Sequence, residues 1–163
     1  MSDHGIYLGN PNLKKANTAI EFTEEQVIEF LKCKEDPVYF ANNYIKIVSL
    51  DEGLTQFHPY HFQEKLINNF HENRFNICKM PRQTGKSTTV VSYLLHYAVF
   101  NDSVNIGILA NKAATARELL GRLQTAYENL PKWMQQGIVA WNKGSLELEN
   151  GSKILAASTS ASA

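Results

Sequence analysis

The stretch KMPRQTGKST, Lys79–Thr88, decides the fold of this 163-residue chain. It ends with the spacing of a Gly-x-x-x-x-Gly-Lys-[Ser/Thr] phosphate-binding loop, but methionine occupies position 80, where the first glycine would stand. The apolar run RFNICKM precedes the loop and predicts a strand, and apolar residues at helical spacing follow it. A strand, a glycine-containing turn and a helix in this order predict an α/β protein with a phosphate loop.

The residues of this loop have the chemistry that a nucleotide phosphate needs. Gly85 lets the backbone approach a phosphate without a Cβ clash, and Lys86 supplies positive charge. Ser87 offers a hydroxyl to Mg²⁺, with Thr88 beside it, and the amides from Thr84 onward offer donors. The alternative is an ordinary strand-turn-helix connection with an exposed lysine.

Arg82 adds a second positive group to the loop. In a phosphate-binding loop it could stabilise charge near the γ-phosphate, as an arginine finger supplied by the same chain. The alternative is a surface arginine paired with a carboxylate.

The composition is that of an ordinary globular domain. Lys and Arg together number 16, as do Asp and Glu, so the formal net charge is zero. The net charge therefore gives no indication of binding to nucleic acid or to a membrane surface. Cys33 and Cys78 lie far apart in the sequence and are expected to be reduced thiols of an intracellular protein. No apolar run approaches the ~18 residues of a membrane span, and the polar N-terminus lacks a signal core.

Along the rest of the chain, helical and strand patterns alternate. The pattern predicts helices from Thr23-Glu24-Glu25-Gln26, from Asp36-Pro37, from near Pro59, after Lys86 and over 112–129. It predicts strands at 74–80 and 104–110, a short strand or an extended connection at 45–50, and a two-residue hairpin turn at Asn150-Gly151. We expect a parallel sheet, with the strand at 104–110 buried on both faces. The predicted divisions are an irregular segment (1–22), a helical subregion (23–56) and a core that contains the loop (57–163), which the resemblance described next implies is a partial P-loop ATPase.

The segment PRQTGKST, residues 81–88, resembles the phosphate loop of the large terminase subunit of tailed bacteriophages. That family's loop typically reads [SP]-R-Q-x-G-K-[ST] without the first glycine, so Met80 agrees with it. Further segments that resemble the family are LGNPNLKKAN, FLKCKEDPVYFANNYIKI, YHFQEKLINNF, VNIGILANKAATARELLGRLQTAYENLP and GIVAWNKGSLELENGSKILAAS. The resemblance implies a P-loop NTPase fold in which helices flank a parallel sheet that is incomplete at its C-terminal side.

The resemblance also implies site residues. An aromatic-Gln pair upstream of the loop holds adenine in the family, and Phe62-Gln63 resembles that pair; the alternative is a surface glutamine beside a core phenylalanine. Lys86 and Arg82 would be catalytic, and Ser87 would bind Mg²⁺. The expected ATP-binding residues are Phe62, Gln63, Arg82, Gln83, Thr84, Gly85, Lys86, Ser87 and Thr88.

An acidic strand that would hold Mg²⁺ and activate water is missing from the pattern. Glu147 and Glu149 alternate with Leu146 and Leu148, which is typical of a half-exposed hairpin strand. In the terminase pattern the acidic strand, the coupling motif and the nuclease domain lie beyond residue 163. A split gene, a truncated polypeptide and an incomplete reading frame all remain open. We expect the chain alone to hydrolyse ATP poorly and to be marginally stable or prone to aggregate, because an incomplete sheet exposes an edge and an apolar face.

As a terminase motor, the complete protein would use ATP and Mg²⁺ to drive double-stranded DNA into a capsid. The implied partners are the DNA, the portal protein, the small terminase subunit and the remaining C-terminal part, without a membrane, in the host cytoplasm at the procapsid portal. The alternatives are a helicase-like nucleic-acid-dependent ATPase and a catalytically silent nucleotide-binding module.

Other patterns carry weaker hypotheses. His58, His61 and Glu64 are spaced along one helical face as metal ligands would be, but a helix start with polar histidines is favoured. Trp133 and Trp141 are expected to be packing residues near the hairpin.

Overall fold

The computed structural model describes residues 5–49 and 51–159. Its helices are α1 (Glu24–Glu35), α2 (Pro37–Tyr44), α3 (His61–Glu72), α4 (Lys86–Phe100) and α5 (Ala113–Glu128). Its strands are β1 (Ile6–Tyr7), β2 (Asn10–Lys14), β3 (Lys46–Ser49), β4 (Gly53–Gln56), β5 (Asn105–Ala110), β6 (Ile138–Trp141), β7 (Ser145–Leu148) and β8 (Lys153–Ser158). Within the described residues, no helix is long and apolar enough to cross a membrane.

The first two helices begin where their capping residues predict. The Thr23 hydroxyl accepts from the Gln26 N–H at 3.2 Å, and the Gln26 side chain accepts from the Thr23 N–H at 3.1 Å. The Asp36 carboxylate accepts from two N–H groups of α2, with Pro37 at its first turn. These local bonds satisfy donors that a helix start leaves free, so the predicted starts are confirmed.

The main sheet is mixed, which corrects the predicted parallel sheet. Its strand order is β5-β8-β7-β6; β5 and β8 run parallel, and the other two pairs are antiparallel. The hairpin at Asn150-Gly151 is present, but its loop spans 149–152 rather than two residues. Gly151 takes a left-handed φ of 83°, and its N–H donates to the Leu148 carbonyl at 3.0 Å.

Only one face of this sheet is buried. Helix α5 packs against β5 and β8, and the side chains under it include Ile108, Leu146 and Ile154. On the other face Leu109 and Leu155 are exposed. The prediction that 104–110 is buried on both faces is therefore wrong, because in the described residues helices cover one side of it.

The segment RFNICKM forms no strand, contrary to the prediction. Phe75 is 84% exposed and Ile77 is fully exposed. A strand needs a neighbour to accept its backbone hydrogen bonds, and the described residues provide none for this segment. An apolar pattern can predict the tendency to extend, but not the presence of the partner.

A cluster of aromatic rings joins α1, α2 and α4. The Phe100 ring lies 4.9 Å from Phe30 and 5.3 Å from Phe40, measured between centroids. Buried His96 packs in the same cluster, and its Nε2 lies 2.9 Å from the Cys33 carbonyl oxygen. Cys33 is a free, buried thiol whose pKa is raised by burial to about 12.

The N-terminal region is more ordered than its sequence indicates. Strands β1 and β2 pair as a short antiparallel hairpin within the range predicted to be irregular. Buried Lys14 at the end of β2 pairs with Glu149 at 3.0 Å, and its N–H donates to Gln135. These contacts join the two ends of the described chain. The proposed domain boundaries themselves stay a prediction.

Candidate phosphate-binding site

The backbone of residues 81–86 curls at the start of α4. Gln83 and Gly85 both adopt left-handed conformations, with φ values of 61° and 70°. The Thr84 hydroxyl donates to the Pro81 carbonyl at 3.0 Å and closes the turn. Met80 has no positive φ, so this geometry does not require a glycine at position 80.

The amide groups along this loop are free to donate. Within residues 5–49 and 51–159, the N–H groups of residues 85–88 form no hydrogen bond to a protein acceptor. Those at the start of α4 are among the donors that every helix leaves without an intrahelical partner, and they add the positive end of the helix dipole. This arrangement suits an anion.

Lys86 reaches back across the loop. Its Nζ donates to the Met80 carbonyl at 3.2 Å, and the side chain is partly buried. Nothing in this contact neutralises the ammonium charge, because a carbonyl is its partner. The lysine therefore has a charge available for a stronger acceptor.

Gln63 connects α3 to the loop. Its Oε1 accepts from the Tyr60 N–H at 2.8 Å, and its Nε2 donates to the Thr84 carbonyl at 3.2 Å. The side chain is buried, with only 2% of the residue exposed. The structure thus brings Gln63 to the predicted loop, although 21 positions separate it from Thr84.

Phe62 lies at the rim of the same region. Its ring stacks on Tyr60 with centroids 5.9 Å apart and planes 10° apart, and both rings are exposed. A shallow groove of about 420 Å³ lies between α3 and the loop. Its lining residues are Phe62, Lys65, Leu66, Asn69, Met80, Pro81 and Thr84.

The remaining predicted residues surround the loop on different sides. Arg82 and Gln83 are exposed, and Arg82 forms no ion pair within the described part of the chain. Ser87 is half-buried at the first turn of α4. Thr88 lines a separate cavity of about 500 Å³ beneath β3, away from Ser87.

Sequence reasoning missed Thr89. This buried residue donates its hydroxyl and its N–H to the Gly85 carbonyl, each at 3.0 Å. It therefore secures the junction between loop and helix. Its position four residues after the glycine was the available clue, because a helix bonds residues at that spacing.

The two acidic candidates, Glu147 in β7 and Glu149 in the turn after it, are occupied elsewhere. Glu147 pairs with Lys153 at 3.4 Å, and Glu149 accepts from the Gly137 N–H at 2.7 Å as well as pairing with Lys14. Partial burial alone would raise the pKa of Glu149, but the hydrogen bonds and the nearby ammonium outweigh it and hold that pKa below its usual value. The prediction of a half-exposed hairpin strand is confirmed, with Leu146 and Leu148 buried.

The weaker hypotheses have different outcomes. His58 lies before α3, so the three residues do not share one helical face, and exposed His61 places Nδ1 3.6 Å from Glu64. No group of three potential metal ligands occurs among the residues with described positions. Trp133 packs edge-on against Tyr44, and Trp141 packs against Tyr127, as predicted.

Comparison with known proteins decides the family. The sequence profile of the family described as "Terminase large subunit, T4likevirus-type, N-terminal" matches residues 77–163, more than half of the chain. The chain belongs to the terminase large-subunit family. The resemblance noted in the sequence is thereby confirmed. The loop lies inside the matched terminase region, whereas Phe62 and Gln63 precede it.

A solved terminase has a similar fold. The crystal structure of the HK97 bacteriophage large terminase matches with a TM-score of 0.63 over 80% of this chain, at 17% sequence identity. At this identity the likeness concerns the fold alone, an α/β arrangement with helices against a sheet. The chain spans 28% of the length of that terminase.

Proposed function

We propose that residues 82–88 bind the triphosphate of ATP together with Mg²⁺. The observation that carries this is the curled loop, in which the unbonded amides 85–88 and the Lys86 ammonium lie together at the start of α4. Amides and lysine in this arrangement match what a polyphosphate needs: several donors and one mobile positive charge. Bound Mg²⁺ would supply further neutralisation of the β- and γ-phosphates.

Each side chain has a separate task in this proposal. Lys86 exchanges the Met80 carbonyl for phosphate oxygens, because a charged acceptor makes the stronger bond. Ser87 offers its hydroxyl to Mg²⁺ at the first turn of α4. Arg82 is exposed and has no ion pair in the described part, and we propose that it stabilises charge at the γ-phosphate.

The adenine ring is assigned to the groove beside α3. Phe62 offers a ring face or edge to a base, and Met80 and Pro81 provide apolar contact on the opposite side. The family resemblance would also bring Gln63 to the adenine edge, but its buried amide already bonds Tyr60 and Thr84, so we assign the base contact to the groove residues.

In the complete terminase, we propose that ATP hydrolysis drives double-stranded DNA into the capsid. The support is family membership. The partners are then the DNA, the portal protein, the small terminase subunit and the rest of the large subunit, in the host cytoplasm at the procapsid. For this chain alone we expect weak hydrolysis, because Glu147 and Glu149 are engaged by Lys153 and Lys14.

Calorimetric titration with ATP and Mg²⁺ tests the proposal. We expect Lys86→Ala to weaken binding by about tenfold or more, equivalent to ~1.4 kcal/mol. The matched control is Lys79→Ala, which removes an exposed lysine just before the loop and should leave binding unchanged. Equal affinities of the Lys86→Ala and unmodified proteins would refute the assignment of the loop.

A further inference from the structure

We propose that Gln63 is a positioning residue for the phosphate-binding loop, and that its contribution to affinity does not depend on the base of the nucleotide. The inference rests on the proposed function, because it concerns how the same loop is held. It goes beyond adenine contact, since it assigns to Gln63 an effect on the phosphate cradle itself.

The first observation is that both ends of the Gln63 amide are used inside the protein. One end accepts from the Tyr60 N–H at 2.8 Å, and the other donates to the Thr84 carbonyl at 3.2 Å. The residue is 2% exposed, so water does not compete easily for these bonds. A side chain held at both ends has a fixed position and can fix its partners.

The second observation is the close fit between Gln63 and Gly85. A Cβ added to Gly85 would lie 2.4 Å from Gln63 Nε2, far inside contact distance. Gly85 also has a φ of 70°, which side chains disfavour. The glycine thus serves two purposes: it permits the turn into α4, and it leaves room for the amide of Gln63.

Peptide geometry explains what the Gln63 contact does. In a trans peptide the C=O and the N–H point in opposite directions. With the Thr84 carbonyl directed at Gln63, the N–H of Gly85 must point away from Gln63. That N–H is among the free amides proposed to hold phosphate, so Gln63 sets the orientation of one of the donors before any ligand arrives.

The chain contains a matched control for this role. Gln26 closes the capping box of α1 by accepting from the Thr23 N–H at 3.1 Å, as Gln63 accepts from Tyr60. Its amide donates to no acceptor in the described part of the chain. Gln26 therefore shares the capping task of Gln63 and lacks the loop contact.

The experiment compares three ligands: ATP, GTP and base-free tripolyphosphate, each with Mg²⁺. Gln63→Met keeps the size of the side chain but cannot donate to Thr84, and Gln63→Asn keeps the amide but is too short to bridge both partners. Affinities are measured by calorimetry, and thermal unfolding of each variant establishes that it folds. Gln26→Met is the control.

We expect both Gln63 variants to lose affinity for all three ligands by a similar factor of about ten, the cost of one oriented donor to a charged group. Gln26→Met should leave all three affinities unchanged. A loss confined to ATP would overturn the inference and make Gln63 an adenine contact only. Unchanged affinities in both variants would overturn it as well.

The proposed function fails in a different way. If the unmodified protein binds none of the three ligands, the loop is no phosphate site and both proposals fall. If it binds them and Lys86→Ala weakens binding while the Gln63 variants do not, only the positioning role is refuted. Should Gln63→Met fail to fold, the Asn variant decides the question.

Discussion

At the scale of single residues, Glu149 has a structural role that the alternating pattern of Leu and Glu in the sequence did not predict. Its carboxylate holds the N–H groups of Gly137 and Asn17, at 2.7 and 2.9 Å, and pairs with buried Lys14. One side chain thus joins the N-terminal segment to the hairpin. Its neighbour Glu147 makes one exposed pair with Lys153 and lacks such backbone contacts.

We expect Glu149→Gln to lower the unfolding free energy at pH 7 by about 1–3 kcal/mol, because it leaves the Lys14 charge without its partner. Glu147→Gln, two residues earlier in β7, should change it by less than ~0.5 kcal/mol. Because folding lowers the pKa of Glu149, its contribution is present above the ordinary glutamate pKa and is lost as the pH falls through the lowered value. Urea unfolding at several pH values measures this. A larger effect at position 147 than at 149 would contradict it.

At the scale of secondary-structure elements, most starts were predictable from local chemistry. The box at Thr23, the Asp36-Pro37 start and the helix after Gly85 lie where the sequence indicated. Helix caps involve residues three or four positions apart, so every residue that forms the cap can be identified from the local sequence. The strand at 74–80 was not predictable in this way, because pairing requires a partner distant in sequence.

Helix α4 is linked to α1 by His96, whose Nε2 lies against the Cys33 carbonyl while its Nδ1 has no partner among the described residues. Burial lowers the pKa of His96 to about 4. The His71 ring, 6.1 Å away, also disfavours a charge there. The packing of these two helices therefore depends on a neutral imidazole.

We expect the unfolding free energy to fall as the pH drops from about 6.5 to about 4. In this range the imidazole of residue 96 is protonated in the unfolded chain but stays largely neutral in the folded protein. The loss attributable to His96 reaches about 3 kcal/mol at the lower limit. In His96→Gln, which retains a donor for the Cys33 carbonyl, this part of the pH dependence should disappear. His61→Gln, at an exposed histidine, should retain it. Equal pH profiles for His96→Gln and the unmodified protein would contradict the assignment.

At the scale of the whole molecule, apolar side chains remain on the surface of the main sheet. Leu109, Val139 and Leu155 are all exposed, and Phe75 and Ile77 add to the exposed apolar area elsewhere. Exposed apolar surface of this kind favours association. This agrees with the expectation from the sequence that the chain alone is prone to aggregate, which remains to be measured.

We expect Leu155→Lys to raise the monomeric fraction in light scattering after size exclusion, with little change in unfolding free energy, because the side chain faces solvent. The adjacent Ile154→Lys is the control, since that position is fully buried and the charge should unfold the protein. Unchanged association in a folded Leu155→Lys protein would show that this face does not mediate it.

The sequence by itself determined the helix starts and the family, and it marked the loop at 81–88 as the candidate site, because each depends on residues within a few positions of one another. Only the tertiary structure decided that the sheet is mixed, that 74–80 has no strand partner in the described chain, and that Glu149 holds the N-terminal segment. It also brought Gln63 to Thr84. These features depend on hydrogen bonds between residues far apart in sequence, and such bonds exist only once the chain has packed.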